Sequence, residues 1–282
     1  MSEIGFIGYG IVGQATGKGL ARGGHTIYSF DKYRAHSHSL EEVIDKSEFI
    51  FICVPTPMYH DHSGIDSSIV DAVVDAVAPQ VAGTKKVLII KSTVLPGTTA
   101  RYAKIYPKTN FAMVPEFLTE AKPEWDFLHP YRTIIGALDK KIANRLKKLH
   151  TSALPAQTPF FMTDPTSAEL AKYMSNVMLA SKVMLANEFY ALAKVLKSNY
   201  DQVQKMVTAD PRIGTHLKVP GPDGDLGFGG KCFPKDIVAL LGLGRELKVD
   251  LSVMETIWRK NLKIRKNHDW KEIKGAVTKK LT

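Results

Sequence analysis

Apolar residues follow two rhythms along this chain. Up to about residue 162 they gather in short runs, at Ile4–Gly8, Glu48–Val54, Lys85–Lys91, Asn110–Val114, Tyr131–Gly136 and Pro159–Met162, separated by stretches such as Ser67–Val81 and Asp139–His150 in which they return at helical spacing. Continuous runs suit strands buried on both faces of a parallel sheet, and the amphipathic stretches suit the helices that cover it. The expected class is therefore α/β, with an N-terminal Rossmann-type doubly wound sheet. After Pro165 the rhythm changes, because no proline or glycine interrupts the chain as far as Asn199. A single helix of that length would run roughly 50 Å, enough to connect two domains and offer a face to another subunit. A short helix before Asp210 and further helices at Pro234–Leu247 and Leu251–Lys266 complete an all-helical second part. The expected domains are 1–163 and 164–282, the second built on the long helix and ending in a basic tail.

Composition narrows this only slightly. In 282 residues, hydrophobic residues make up 44% and charged residues 23%, ordinary values for a globular protein. No apolar run is long enough to span a membrane, and Met1 leads almost directly into the first strand-like run, so a cytoplasmic location is expected. The net charge of +10 is concentrated late, in Arg259, Lys260, Lys263, Arg265, Lys266, Lys271, Lys274, Lys279 and Lys280 against Asp269 and Glu272. With only Trp258 and Trp270 among them, these cations read as a solvated helix end rather than a nucleic-acid surface. Two cysteines give no disulfide framework, and no metal site is expected.

The first chemical motif follows the first run. Gly8, Gly10 and Gly13 form GxGxxG between a strand and an amphipathic segment, the setting that dinucleotide binding requires. Gly8 permits the turn, Gly10 admits the pyrophosphate, and Gly13 lets the helix pack on the strand. Asp31 ends the next strand, where a carboxylate bonds the ribose hydroxyls and repels a 2′-phosphate. NAD is the expected cofactor, although Lys32 and Arg34 nearby weaken the exclusion of NADP.

The second motif is Leu226–Asp236, LGFGGKCFPKD, which sets Cys232 after glycines and just before a helix start. Pro234 suits the first helical position and Asp236 the first turn. A thiol there, flanked by Lys231 and Lys235, should ionise more readily than a free cysteine. Gly227, Gly229 and Gly230 would let backbone approach a ligand. The competing readings are a small buried apolar residue and a plain connector.

This decapeptide from Gly227 to Asp236 resembles the signature of the UDP-glucose/GDP-mannose dehydrogenase family, NAD-dependent enzymes that oxidise a sugar-nucleotide alcohol to the acid. Further resemblances follow in order. Val54-Pro-Thr-Pro57 resembles a segment near the family's cofactor, and Ser92-Thr-Val-Leu-Pro-Gly-Thr-Thr99 a loop whose threonine, here Thr93, sits in the active site. Pro115-Glu-Phe-Leu-Thr-Glu120 resembles a substrate loop, except that Val114 stands where the family has asparagine or serine. Lys172 and Asn176 match residues that point from the long helix into the active site, and Arg212 matches an arginine that contacts sugar nucleotide. Glu169, Lys172 and Asn176 share one helical face, and a surface pair between the first two is the ordinary alternative. Residues 216–225 depart from the family spacing. The resemblance covers nearly all of this chain but about two-thirds of the family's architecture, without its C-terminal nucleotide-covering domain.

The resemblance implies a set of roles. At the cofactor it places Gly8, Gly10, Ile11, Val12, Gly13, Asp31, Val54, Pro55, Thr56, Ser92, Thr93 and Glu120. At the substrate it places Glu116, Phe117, Leu118, Lys172, Asn176, Arg212, Gly229 and Cys232. Cys232 would be the nucleophile, Lys172 and Asn176 would stabilise an alkoxide, Asp236 would act as base and Glu120 would serve hydrolysis, with Thr93 beside them. UDP-glucose is the expected substrate, with UDP-N-acetylmannosamine or GDP-mannose as alternatives, and a homodimer through the long helix is expected. A non-catalytic nucleotide-binding protein is the competing class, which would have no need of all six reactive residues.

Overall fold

The computed structural model describes residues 1–34 and 37–278. It falls into two compact units: residues 1–56 with 67–172, and residues 57–66 with 173–282. The last cations of the basic tail, Lys279 and Lys280, lie outside the described residues.

In the first unit the elements run β1 (Glu3–Ile7), α1 (Ile11–Arg22), β2 (Thr26–Phe30), α2 (Leu40–Lys46), β3 (Phe49–Ile52), α3 (Ser68–Val77), β4 (Val87–Ile90), α4 (Thr98–Ile105) and β5 (Asn110–Met113). They continue with α5 (Pro123–Leu128), β6 (Thr133–Ala137), α6 (Lys140–Thr151), β7 (Phe160–Thr163) and the start of α7 (Pro165–Val195). The seven strands form one sheet in the order β2-β1-β3-β4-β5-β6-β7, parallel throughout except for the antiparallel pair β5–β6. Every residue of β3 and β4 is buried, as the unbroken runs required. Alternate side chains serve opposite faces: Ile50, Ile52, Leu88 and Ile90 pack with Val43, Val74 and Tyr102, whereas Phe49, Phe51, Val87 and Ile89 pack with Leu20, Phe127 and Leu146. The doubly wound sheet read from the sequence is the one observed. Its strand order reverses between β1 and β3, so their carboxyl ends border the crevice where such folds take ligands.

Three helices were not legible as such. α2 begins at Leu40 behind Ser39, whose side chain accepts from the amide of Glu42, α4 begins at Thr98 inside the stretch read as a loop, and α5 begins at Pro123. All three are short. The helix expected through Val81 stops at Val77 and tightens into a 3-10 turn over Ala78–Val81, where Pro79 cannot donate an α-helical bond.

The second unit holds the rest of α7, α8 (Tyr200–Thr208), α9 (Cys232–Leu247) and α10 (Ser252–Ile264). α7 has 31 residues and is about 46 Å long, ending before Asn199 because Lys197 turns left-handed and Asn199 caps the next helix. Residues 57–66 group with this unit: Met58 bridges Ile65 and Val277, and the guanidinium of Arg245 donates to the Ser63 carbonyl. No helix among the described residues is long and apolar enough to cross a membrane.

Candidate active site

The first unit contributes a dinucleotide cradle. Gly8 leaves β1 with φ +87°, and a Cβ there would stand 2.8 Å from the Cys53 carbonyl oxygen. A Cβ at Gly13 would meet the Gly8 carbonyl oxygen at 2.5 Å. Only Gly10, at the N-terminus of α1, has nothing within 4 Å of where a Cβ would be, so the open side of the turn lies at the amides that begin the helix. One Asp31 oxygen accepts from the Tyr9 amide at 2.8 Å and the other from the Tyr33 amide at 2.9 Å, so the carboxylate that would face the ribose also closes the turn. Ile11 is exposed at the first helical position, with Val12 behind it half-buried. An apolar cavity of about 420 Å³ lies beside the strand ends, between Ile7, Phe30, Leu40, Ile69 and Val73. An anion-binding helix start, a ribose-length carboxylate and an apolar recess together fit NAD.

The exits of β3 and β4 are tied together, since the Ser92 hydroxyl donates to the carbonyls of Val54 (2.7 Å) and Ile52 (3.3 Å). Pro55 is exposed, Thr56 buried, and Thr93 half-buried in the loop that follows. That loop is anchored from behind. Glu169 on α7 is fully buried and accepts from the amides of Gly97 and Thr99 and from the Thr99 hydroxyl. Burial pushes its carboxyl up against these three donors. The surface pair with Lys172 does not form, because Glu169 is committed to the start of α4.

Lys172 pairs instead with Glu116, Nζ to Oε1 at 2.8 Å, with 4% and 10% of their side chains exposed. Burial alone would raise the Glu116 carboxyl, but Lys172, the Leu118 amide and Lys91 outweigh it and hold the group below the usual range. Burial likewise lowers Lys91, whose Nζ reaches the Val114 carbonyl at 3.3 Å. Position 114 thus contributes its backbone oxygen, while the valine side chain fills the core. The Phe117 ring lies under two cations, Arg132 at 4.0 Å and Lys172 at 5.6 Å. Leu118 closes the turn through its amide, and a cavity of about 130 Å³ lined by Lys91, Glu116, Phe117, Leu118, Arg132 and His150 adjoins them. His150 is pushed down to about 4 by burial. Glu120 lies exposed four residues on, so the carboxylate paired with Lys172 is Glu116. Cys53 is free, and burial pushes its thiol up to about 12, as a core position requires.

The second unit carries the thiol. α9 starts at Cys232, two residues earlier than Pro234 indicated. Proline is tolerated throughout a first turn because those N–H groups have no helical partner, so it does not mark the first residue. In consequence Asp236 lies beyond the first turn, buried at 1% exposure. Its carboxylate is held by Asn176 Nδ2 and Lys235 Nζ, each at 2.6 Å. Lys235 is thus paired with Asp236. Arg212 lies on the surface, its side chain 87% exposed and folded onto its own neighbour Asp210.

The glycines before Cys232 are constrained by the chain itself. A Cβ at Gly227 would meet Asn261 Oδ1 at 2.3 Å, and one at Gly229 would meet the Arg265 guanidinium and the Asp269 carboxylate. Only Gly230, at φ +73°, has open space. Asn187 accepts from the Gly227 amide, while the Asn261 amide both accepts from Phe228 N–H (2.8 Å) and donates to its carbonyl (3.0 Å). Asp269 accepts from the Gly230 amide at 3.0 Å, and Arg265 joins Asp269, Asp223 and the Leu226 carbonyl. These residues were missed, because nothing local relates positions 187, 261, 265 and 269 to the loop. The one available signal was the cluster of polar residues within a helix otherwise read as a solvated end.

Residues 32–154 match the NAD binding domain of the UDP-glucose/GDP-mannose dehydrogenase family, and residues 166–263 match its central domain. The UDP-glucose 6-dehydrogenase of Rickettsia prowazekii is 31% identical over 294 residues, covering 92% of this chain and 66% of that protein. That of Rickettsia felis is 32% identical over 222 residues, covering 77% and 48%. The chain thus spans about half to two-thirds of the length of these relatives. Among solved structures, a UDP-glucose dehydrogenase from Pyrobaculum islandicum gives a TM-score of 0.83 at 32% identity, covering 93% of this chain and 68% of that one. A UDP-D-ManNAc dehydrogenase from Pyrococcus horikoshii gives 0.78 at 25% identity with the same coverage.

Proposed function

Because the chain belongs to the UDP-glucose/GDP-mannose dehydrogenase family, with its NAD binding and central domains, we propose that it oxidises a nucleotide-linked hexose at C6 through a cysteine-bound intermediate. The observation that carries this reading is the buried Asn176–Asp236–Lys235 cluster one turn beyond Cys232. Sequestering ionised groups costs several kcal/mol each unless they are well paired, so a helix needing only to pack would use apolar residues there.

NAD, when bound, accepts hydride, and two equivalents take the alcohol to the acid level. The chain's own residues handle carbon, sulfur and protons. Cys232 sulfur adds to the aldehyde carbon, the carbonyl electron pair moves to oxygen, and a thiohemiacetal forms. This step is required because an aldehyde has no hydride to give to a second acceptor until a nucleophile has added. After the second oxidation the product on sulfur is a thioester, which water cleaves to free thiol and carboxylate. Lys172 and Asn176 are the donors for the alkoxide oxygen; loss of one such donor elsewhere slows turnover about 100 to 1,000-fold. Asp236 acts as proton acceptor for the alcohol. Glu116, held ionised by Lys172, and Glu120 are the two carboxylates available to the hydrolytic step. Thr93 is assigned to the active site beside the cofactor, and Arg212 to the substrate.

UDP-glucose is the first substrate, after the relatives named for it, and UDP-N-acetylmannosamine or GDP-mannose are the alternatives. A second copy of the chain is the proposed partner. Its support is an exposed apolar stripe along α7, formed by Met174, Met178, Leu185, Phe189 and Leu192, with the spacing of a helix interface. Incubating the protein with NAD and each sugar nucleotide, and following reduced cofactor by absorbance, tests the activity; silence with all three would leave only a nucleotide-binding role. Cys232→Ser should abolish acid formation.

A further inference from the structure

Cys232 is the first residue of α9, so its placement depends on the loop that delivers the chain to that helix. Residues 226–230 of that loop make no strand or helix of their own, and apart from the Leu226 amide, which bonds the adjacent Asp225 carboxylate, their backbone bonds go to side chains far along the sequence. Asn261, fully buried, meets Phe228 as a neighbouring strand would, one acceptor and one donor to the same residue. Asp269 takes the Gly230 amide, two residues before the thiol. Arg265, with 1% of its side chain exposed, is the strut behind both, joining Asp269 to Asp223 and to the Leu226 carbonyl. The Asp225 carboxylate then ties the loop's start to the amides of Lys266 and Asn267.

We propose that Asn261, Arg265 and Asp269 are positioning residues for Cys232: they fix the 226–230 loop and so determine how the thiol is presented at the start of α9. Gly227 and Gly229 lack side chains because this clamp occupies the space, leaving Gly230 as the one glycine of the three with an open face. The end of α10 and the turn after it, which composition marks as a solvated basic segment, are thereby part of the machinery of the thiol. The role of the thiol as nucleophile rests on the function proposed above, but its placement by the clamp does not.

The test separates the two. Alkylation of Cys232 by iodoacetamide, read by peptide mass spectrometry from about pH 5 to about pH 10, reports the thiol's environment without substrate or cofactor. Asn261→Ala should displace the midpoint of that profile or change its plateau rate by at least about threefold. It should also lower kcat with UDP-glucose by up to about 100-fold, the cost of a misplacement near 1 Å, while KM moves little. A folded Asn261→Ala protein with the parent alkylation profile overturns the proposal, whatever its turnover. A displaced profile with unchanged kcat supports it and removes Cys232 from the reaction, an outcome that Cys232→Ser would show independently by retaining turnover. Should Asn261→Ala fail to fold, Asp269→Ala and Asp269→Asn give the same reading. Asn keeps one oxygen for the Gly230 amide and is expected to lie between parent and alanine, and equality of all three profiles would refute the clamp.

Discussion

The glycine turn after β1 and the glycine loop before α9 look alike in the sequence and are built on opposite principles. In the first, the atoms that forbid a side chain are backbone: the Cys53 carbonyl at Gly8 and the Gly8 carbonyl at Gly13. In the second they are the ends of side chains, Asn261 at Gly227 and Arg265 with Asp269 at Gly229. A backbone wall comes with the fold itself and offers no substitution that relieves it. A side-chain wall can be altered one residue at a time, so the thiol loop can be adjusted without disturbing the sheet.

The sharpest way to break this contrast is to add a methyl group to each. Gly8→Ala combines a left-handed φ with a 2.8 Å contact to a carbonyl, and should destabilise by about 3 kcal/mol, lowering Tm by on the order of 10 °C. No second substitution should recover it. Gly229→Ala should cost about 2 kcal/mol, but in the Arg265→Ala background the added cost should shrink by roughly 1 to 2 kcal/mol, as a double-mutant cycle in urea would measure. Additive effects there would mean that something other than the guanidinium excludes the side chain.

Next come the two open glycines. Gly230→Ala should cost about 1 to 2 kcal/mol from its positive φ alone. Gly10→Ala, at φ −73°, should change stability by less than about 0.5 kcal/mol yet weaken NAD binding measurably by titration calorimetry. The smallest expected effect is acid sensitivity. Burial would raise the carboxyls of Asp223 and Asp225, but for Asp223 the bond and charge of Arg265, and for Asp225 the amides of Asn267, Leu226 and Lys266, overcome this, so both sit below the ordinary value. Their contribution is complete above the ordinary carboxylate range and is lost as pH falls through their depressed folded values. The protection of the Lys266 and Asn267 amides against exchange should therefore hold at pH 6 and above, and weaken only below about pH 4.

The same contrast explains what could be read in advance. The strands of the sheet, the turn at Gly8–Gly13 and the place of Asp31 after β2 depend on residues close together in sequence, so periodicity and spacing expose them. β3 and β4 were evident because burial on both faces leaves no polar position to interrupt the run. Cys232 and Asp236 were evident as candidates, but the first helical residue was not, since Pro234 fits several positions equally. Glu116 against Lys172 and Asn176 against Asp236 join residues 56 and 60 positions apart, and no local rule selects Glu116 over Glu120. The clamp was invisible for the same reason, its members being ordinary polar residues of α10 and the turn after it until the fold brings them to Phe228 and Gly230.

Glu169 carries one mechanical implication. Its carboxylate is seated in the mouth of α4, gripping Gly97 and Thr99 at the close of the loop that bears Thr93, while Lys172, one turn along α7, grips Glu116. A twist of the long helix about its own axis cannot occur at this end without pulling on both loops together. That end of the rod is therefore moored to two separate loops at once, one through each face-sharing side chain.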